Sequence, residues 1–293
     1  MVAPHPDDET LGAAGVMQRV LEGGGTVRVV LLTAGDGYVE AVVHETGLPR
    51  PRPAQYIAYG ERRLHEARAA LETLGQHLKL DFLGFPDGGL DGLLRTHWRR
   101  THPERSRTTG ASDPPYPEAL EPDVPYDGAD LRRELVRLLA DTHPTTIIFP
   151  DPLDKHPDHH AAGLFTLIAL HDWLDRAAAT GHAPAPPRCL AYVIHWPDWP
   201  PGWNAATPAA GATDTRLELP PTLPQHGLGR VAVTLTDAEV AAKAAALAKY
   251  QSQREEMSPL LGAFVRRTEP FTVLGTTEPR DIGAMIQSKR GPR

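Results

Sequence analysis

Short β-branched runs alternate along this chain with stretches whose apolar residues recur at helical spacing. That alternation predicts an α/β protein, because parallel strands need crossover helices to bring the chain back to the same edge of a sheet. Residues 26–33 (TVRVVLLT), 78–82 and 145–149 (TTIIF) read as buried strands. Residues 61–74 place Leu64, Ala67, Leu71 and Leu74 on one helical face and stop at Gly75, the residue type expected just past a helix end. Residues 130–141 repeat the pattern with Leu131, Leu135, Leu138 and Leu139. Residues 1–3 read as the tail of a first strand, too short to stand alone, so the expectation is a terminus trimmed of upstream residues.

Two stretches break the alternation. Residues 96–128 carry His, Arg, Thr, Pro and Asp with little periodicity, and a loop that long inside a compact domain is expected to flank a site. Residues 198–225, rich in Pro, Ala and Thr, separate strand-like 190–196 from 230–235 and read as a second loop insertion, not a linker. The expected organisation is a single domain over residues 1–293 with these two insertions. A final helix is predicted from Thr236, whose spacing to Glu239 is that of a capping box, to about Tyr250.

Composition narrows the function classes. Thirty Lys and Arg against 37 Asp and Glu give a net charge of −7, and no basic run is interleaved with aromatics, so nucleic acid is not an expected partner. The one cysteine, Cys189, excludes an internal disulfide and a cysteine-based zinc cluster, and fits a reducing compartment. No apolar run reaches the ~18 residues of a membrane span. The expected location is the cytoplasm.

Candidate chemistry lies in two clusters. His5-Pro6-Asp7-Asp8-Glu9 follows the first strand and precedes the helical pattern of residues 10–22, where open parallel sheets place ligands. Adjacent carboxylates cannot point the same way, so one can hold a cation with His5 while the other stays free as a base. Taken alone, the cluster also reads as a surface loop with Asp8 or Thr10 capping the next helix. The second cluster, Asp154-Lys155-His156-Pro157-Asp158-His159-His160, follows the strand at 145–149 and precedes the helical run 161–173. Pro157 suits the first helical position, which makes His156 the N-cap and puts His159 on the first turn. The two clusters are expected to share one rim. A nucleotide-binding reading of Gly12 and Gly15 fails, because the G-x-G-x-x-G spacing is missing and carboxylates stand where a pyrophosphate needs backbone amides.

The pair of motifs, His5-Pro-Asp-Asp-Glu and His156-Pro-Asp-His159, resembles the LmbE-like, PIG-L family of zinc-dependent N-acetylglucosamine deacetylases. The similarity extends through Thr33-Ala-Gly-Asp36, Arg63-x-x-Glu66 with Leu74-Gly75, Phe85-Pro-Asp87-Gly88, and Lys243 to Gln253. It implies a Rossmann-like three-layer α/β fold with a mostly parallel central sheet, and a hydrolase that removes acetyl from an N-acetylglucosamine-containing sugar or conjugate. His5, Asp8 and His159 would be ligands to one Zn2+, or another divalent metal such as Fe2+, leaving a fourth position for a water whose pKa falls to about 7. Asp7 would be the general base and protonated His156 a second group over the reacting carbonyl. Asp158 would join them in the catalytic set, as a partner orienting an imidazole or a helix-start carboxylate. Arg63 is expected on the aglycone side of the substrate, Asp87 on sugar hydroxyls, and His195 at the rim beside Trp196, Trp199 and Trp203. Tyr38 and Asp36 would border the pocket. A non-catalytic carbohydrate-binding or structural subunit keeping this fold is the other reading, and the intact ligand set argues against it.

Overall fold

The β-branched runs form two hydrogen-bonded ladders in the computed structural model, which describes residues 1–181, 184–204 and 212–276. In the first ladder β1 (Val2–Ala3), β2 (Val27–Leu31) and β3 (Leu78–Phe82) pair in parallel, with β2 in the middle. In the second, β4 (Thr146–Pro150) pairs in parallel with β5 (Arg188–Tyr192). β6 (Gly229–Thr234) and β7 (Thr268–Leu274) complete that edge in antiparallel register, in the order β4-β5-β7-β6. β1 lies beside β4, and the Tyr192 hydroxyl donates to the Val2 carbonyl at 3.2 Å. The carboxyl ends of β1 and β4 are thereby neighbours, as the shared rim of the two motifs requires.

The helices are α1 (Asp8–Glu22), α2 (Val39–Thr46), α3 (Pro53–Leu74), α4 (Leu90–Arg95), α5 (Gly128–Thr142), α6 (Pro157–Ala179), α7 (Asp237–Leu247) and α8 (Gln251–Ala263). One apolar core joins Leu11, Met17, Leu64, Leu71, Phe82, Tyr192, Leu247 and Phe271, and a second joins Leu32, Leu131, Leu135, Phe149, Phe165, Leu170 and Trp173. With α1, α3 and α7 contributing to the first core and α5 and α6 to the second, the strands lie between two helical layers, and the α/β expectation holds.

Several boundaries differ from the periodicity. The helix expected from residue 61 begins at Pro53, since a proline at the first turn costs no hydrogen bond and the Arg52 N–H donates to Gln55 Oε1 at 2.8 Å. The chain also continues past the last predicted helix into α8 and β7. α8 carries a non-helical Met257 and an internal Pro259, which destroy the periodic signal. Glu269 and Pro270 do the same within β7. Residues 96–127 contain no helix or strand, yet Tyr116 and Tyr126 are buried there, donating to Asp36 and to the Gly84 carbonyl. Of the loop expected at 198–225, residues 205–211 lie outside the described residues. Among the described residues no helix is long and apolar enough to cross a membrane.

Helix α1 is interrupted at Ala13 (φ −149°, ψ 18°), which frees backbone groups from the helical ladder. A fully buried ion pair satisfies them. Glu269 accepts the Gly15 and Val16 N–H groups at 2.9 and 3.0 Å, and Lys243 donates to the Leu11 carbonyl at 2.7 Å and to Glu269 at 2.9 Å. Gly15 is small for a packing reason, since a Cβ there would lie 2.3 Å from Leu235; one on Gly12 would lie 2.8 Å from the Tyr192 ring. Substituting Lys243→Ala strands a buried carboxylate, so the variant is expected to lose about 3–5 kcal/mol of unfolding free energy, read by urea denaturation. A loss below about 1 kcal/mol would show that the pair is not holding the broken helix.

Candidate active site

The first motif sits on a strained turn. Asp7 has φ 117°, in a region where a non-glycine residue costs on the order of 1–3 kcal/mol. Its carbonyl accepts the Thr10 and Leu11 N–H groups at 3.0 and 2.8 Å, and its own N–H donates to Glu9 Oε2 at 3.1 Å. Glu9 is held in turn by the hydroxyls of Thr10 and Tyr250. Asp7 is thus the N-cap of α1 and Asp8 its first residue, and their carboxylates take different directions. In the second motif His156 is the N-cap of α6 and Pro157 the first helical residue, as the local rule predicts. Asp154 anchors this loop. It accepts the N–H groups of His156 at 2.9 Å, Ile194 at 2.8 Å and His195 at 3.0 Å, tying the β4–α6 turn to the chain beyond β5.

Two imidazoles converge on one carboxylate oxygen. Asp8 Oδ2 lies 3.2 Å from His5 Nδ1 and 3.2 Å from His159 Nε2. Donors about 2.0–2.2 Å from a tetrahedral metal stand about 3.3 Å apart, so this spacing fits a divalent ion. Both ring nitrogens of buried His159 lack a hydrogen-bond partner, although Asp8 and Asp154 approach to 3.2 and 3.6 Å. A cation shared with Asp8 satisfies such a nitrogen. The opposite nitrogens face carboxylates: His5 Nε2 meets Asp87 Oδ1 at 3.0 Å and Asp158 Oδ2 at 3.4 Å, while His159 Nδ1 faces Asp154. Carboxylates in that position orient metal-binding imidazoles and fix their tautomers.

The close donor trios among the described residues are His5 with His156 and His159, Asp8 with His159 and His195, and His5 with Asp87 and Asp158, each overlapping the set His5, Asp8 and His159. Hydrogen bonding bears on the first of these. His156 Nδ1 accepts the Asp158 N–H at 3.2 Å, so the neutral ring carries its proton on Nε2 and that atom donates instead of ligating. All three carboxylates also accept backbone N–H groups, Asp87 from Gly37 at 2.6 Å, Asp158 from Gly88 and Leu90 at 2.7 and 3.0 Å, and Asp8 from His5 at 3.0 Å.

Burial and neighbouring charge set the protonation states. Burial pushes the Asp8 carboxyl up, but His159 and His5 outweigh it and hold Asp8 well below the usual range. Burial depresses the His5 ring, yet Asp87, Asp158 and Asp8 keep it well above its ordinary value. His159 behaves in the same way and rises to about 9, against burial, through Asp8 and Asp154. Asp7 is pushed up to about 8 by burial, with the Arg63 guanidinium opposing. Burial, then the charges on His5 and His159, drive His156 down to about 2. Both effects favour the neutral form of the ring, where the family resemblance implied a protonated imidazole. His195 falls to about 4 for the same two reasons, burial and His159.

The residues given catalytic, metal-binding or substrate-binding roles from the sequence are near this rim, but not all as expected. Arg63 is buried within α3, and its guanidinium donates to the carbonyls of Gly35 at 2.9 Å and Pro6 at 2.7 Å and to Asp7 Oδ2 at 3.3 Å. It braces Asp7 and two loops. Asp87 is engaged by His5 and Gly37, and Asp36, raised to about 7 by burial and then by Asp87, accepts from Tyr116. Trp196 and Trp199 are buried and pack their loop down, donating to Thr222 and to the Glu218 carbonyl. A cavity of about 320 Å³ opens over the cluster, lined by His5, Asp7, Asp8, Tyr38, Arg63, Asp87, His156 and His195 together with Leu11, Ile194, Gln253, Met257, Leu260 and Leu261. Asp154 and the α8 side chains were not singled out from sequence. Asp154 lay inside the second motif, but nothing local signals a reach to residues 194 and 195. Removing that anchor in Asp154→Asn is expected to weaken metal binding about 10- to 100-fold, measured by competition with a chelator of known affinity.

Comparison with known proteins shows the family. Residues 1–170 match the PIG-L family, described as GlcNAc-PI de-N-acetylase. The 1D-myo-inositol 2-acetamido-2-deoxy-alpha-D-glucopyranoside deacetylase 2 of Saccharopolyspora erythraea is 30% identical over 179 residues, 60% of this chain and 57% of that protein. The diacetylchitobiose deacetylase of Thermococcus kodakarensis is 26% identical over 177 residues, 58% of this chain and 47% of that protein. The chain thus spans about half the length of these two curated relatives. The solved N,N'-diacetylchitobiose deacetylase from Pyrococcus horikoshii shares the fold, with a TM-score of 0.54 at 17% identity over 95% of this chain and 85% of that one. With the match covering more than half of its residues and both His/Asp motifs within it, the chain belongs to the PIG-L, LmbE-like deacetylase family.

Proposed function

We propose that this protein is a metal-dependent hydrolase that releases acetate from the N-acetyl group of an N-acetylglucosamine-containing sugar or conjugate. The observation that carries the reading is a division of labour between adjacent carboxylates: Asp8 lies against His5 and His159, while Asp7 stands apart from both, buried and braced by Arg63. His5, Asp8 and His159 would hold one zinc per chain, although nitrogen and oxygen donors of this kind also take ferrous iron. The ion, when bound, supplies a Lewis acid and lowers the pKa of its water to about 7.

The remaining work falls to the chain's own groups. Asp7 accepts the proton of the attacking water, and its raised pKa suits a base operating near neutrality. His156, neutral with its proton on Nε2, donates to the amide oxygen as negative charge grows there. The Asp158 N–H fixes that tautomer, and the Asp158 carboxylate aligns His5. The proton taken up by Asp7 is then available to the departing amine. Arg63 keeps Asp7 in register, and Asp87 and His195 face the sugar from the rim. A cytoplasmic setting accords with the single cysteine, Cys189, which is free and buried.

A panel of N-acetylated amino sugars assayed for acetate is the direct test. Release that stops on chelation and returns with zinc is expected. A chain that binds the sugars without liberating acetate is instead the non-catalytic carbohydrate-binding subunit.

A further inference from the structure

Beside the acids and imidazoles the cavity has an apolar lining. Leu11 comes from α1, Ile194 from the chain beyond β5, and Met257, Leu260 and Leu261 from α8. The last three lie at and just beyond the kink of α8 at Met257. Met257 and Leu260 remain half-buried, while Leu261 closes into the core. An acetyl group brings a single methyl to such a site, and the hydroxyls of a hexosamine ring would lose water against it without gaining hydrogen bonds. The volume of about 320 Å³ lies in the range of small-molecule sites and leaves room beyond the reacting group. Methionine at the half-buried position is unbranched and adapts to the shape of what covers it.

Resting on the deacetylase reading, we propose that this lining binds an apolar substituent carried by the amino sugar, with Met257 and Leu260 as the residues that select for it. Two sources present the same chemistry, an N-acyl chain longer than acetyl or an apolar aglycone on the sugar. Each methylene buried on the lining adds roughly fourfold to binding.

Two arms on the metal-loaded full chain separate the sources. The aglycone arm compares, by calorimetric titration, the Kd of glucosamine with that of hexyl glucosaminide, neither of which has an amide to cleave. The acyl arm compares kcat/KM for N-acetyl- and N-hexanoylglucosamine. A preference of at least about twentyfold for the apolar-bearing ligand is expected in one arm, corresponding to about two buried methylenes. The double variant Met257→Gln/Leu260→Gln should reduce that ratio below threefold. A ratio is read because a general loss of structure lowers both of its members together. Ratios near one in both arms overturn the proposal, as does a preference that survives the double variant. If neither N-acyl sugar is cleaved but the titration preference exists and vanishes in the variant, the deacetylase reading fails and the apolar subsite stands.

Discussion

Asp7→Asn is expected to keep its metal and lose turnover by about 10²- to 10⁴-fold, the usual contribution of a general base. The amide side chain preserves size and can still accept from Arg63, so the strained turn and the neighbouring Asp8 stay in place. It cannot take a proton from water. Asp8→Ala should do the opposite and empty the site, because Asp8 Oδ2 is the atom that both His5 and His159 approach. Metal content by elemental analysis, paired with kcat on the same preparations, reads both variants. If Asp7→Asn loses the metal while Asp8→Ala keeps it, the two carboxylates have been assigned in reverse.

Removing the metal is expected to abolish activity and to make stability depend on pH in a defined sense. Without the ion His159 titrates at about 9, above the roughly 6.5 of an unfolded histidine. A raised folded-state pKa stabilises fully below about 6.5, and that contribution is lost as pH climbs through about 9. His5, also held well above its ordinary value, adds to the same trend. The ion must displace these protons, so its apparent affinity should rise between pH 6.5 and 9 by up to about tenfold per pH unit for each proton released. Calorimetric titration with zinc in buffers of different ionisation enthalpy counts the protons directly. A proton count of zero at pH 7 would mean that the ion binds elsewhere than between His5 and His159.

Much of the site was legible because its key spacings are local. His5 and Asp8 meet across one turn, and His156 caps the helix that carries His159 because Pro157 suits only the first helical position. The main strands were legible from their β-branched runs. α8 was not, since the interruption at Met257 and the proline at 259 remove the periodicity by which a helix announces itself. The antiparallel pairing of β6 and β7 was equally hidden, because strand direction follows from neighbours distant in sequence.

The residue order alone determined that two short, differently placed motifs each present imidazole and carboxylate at the start of a helix. Backbone rules acting over three or four positions are sufficient for that. Whether the motifs meet was decided by the lateral placement of β1 beside β4, a contact between chain segments more than a hundred residues apart. The same long-range packing buried Arg63 against Asp7, brought Asp154 to the chain beyond β5, and laid α8 over the cavity. Such partners are chosen by the shared burial of whole elements, for which no local pattern carries a signal.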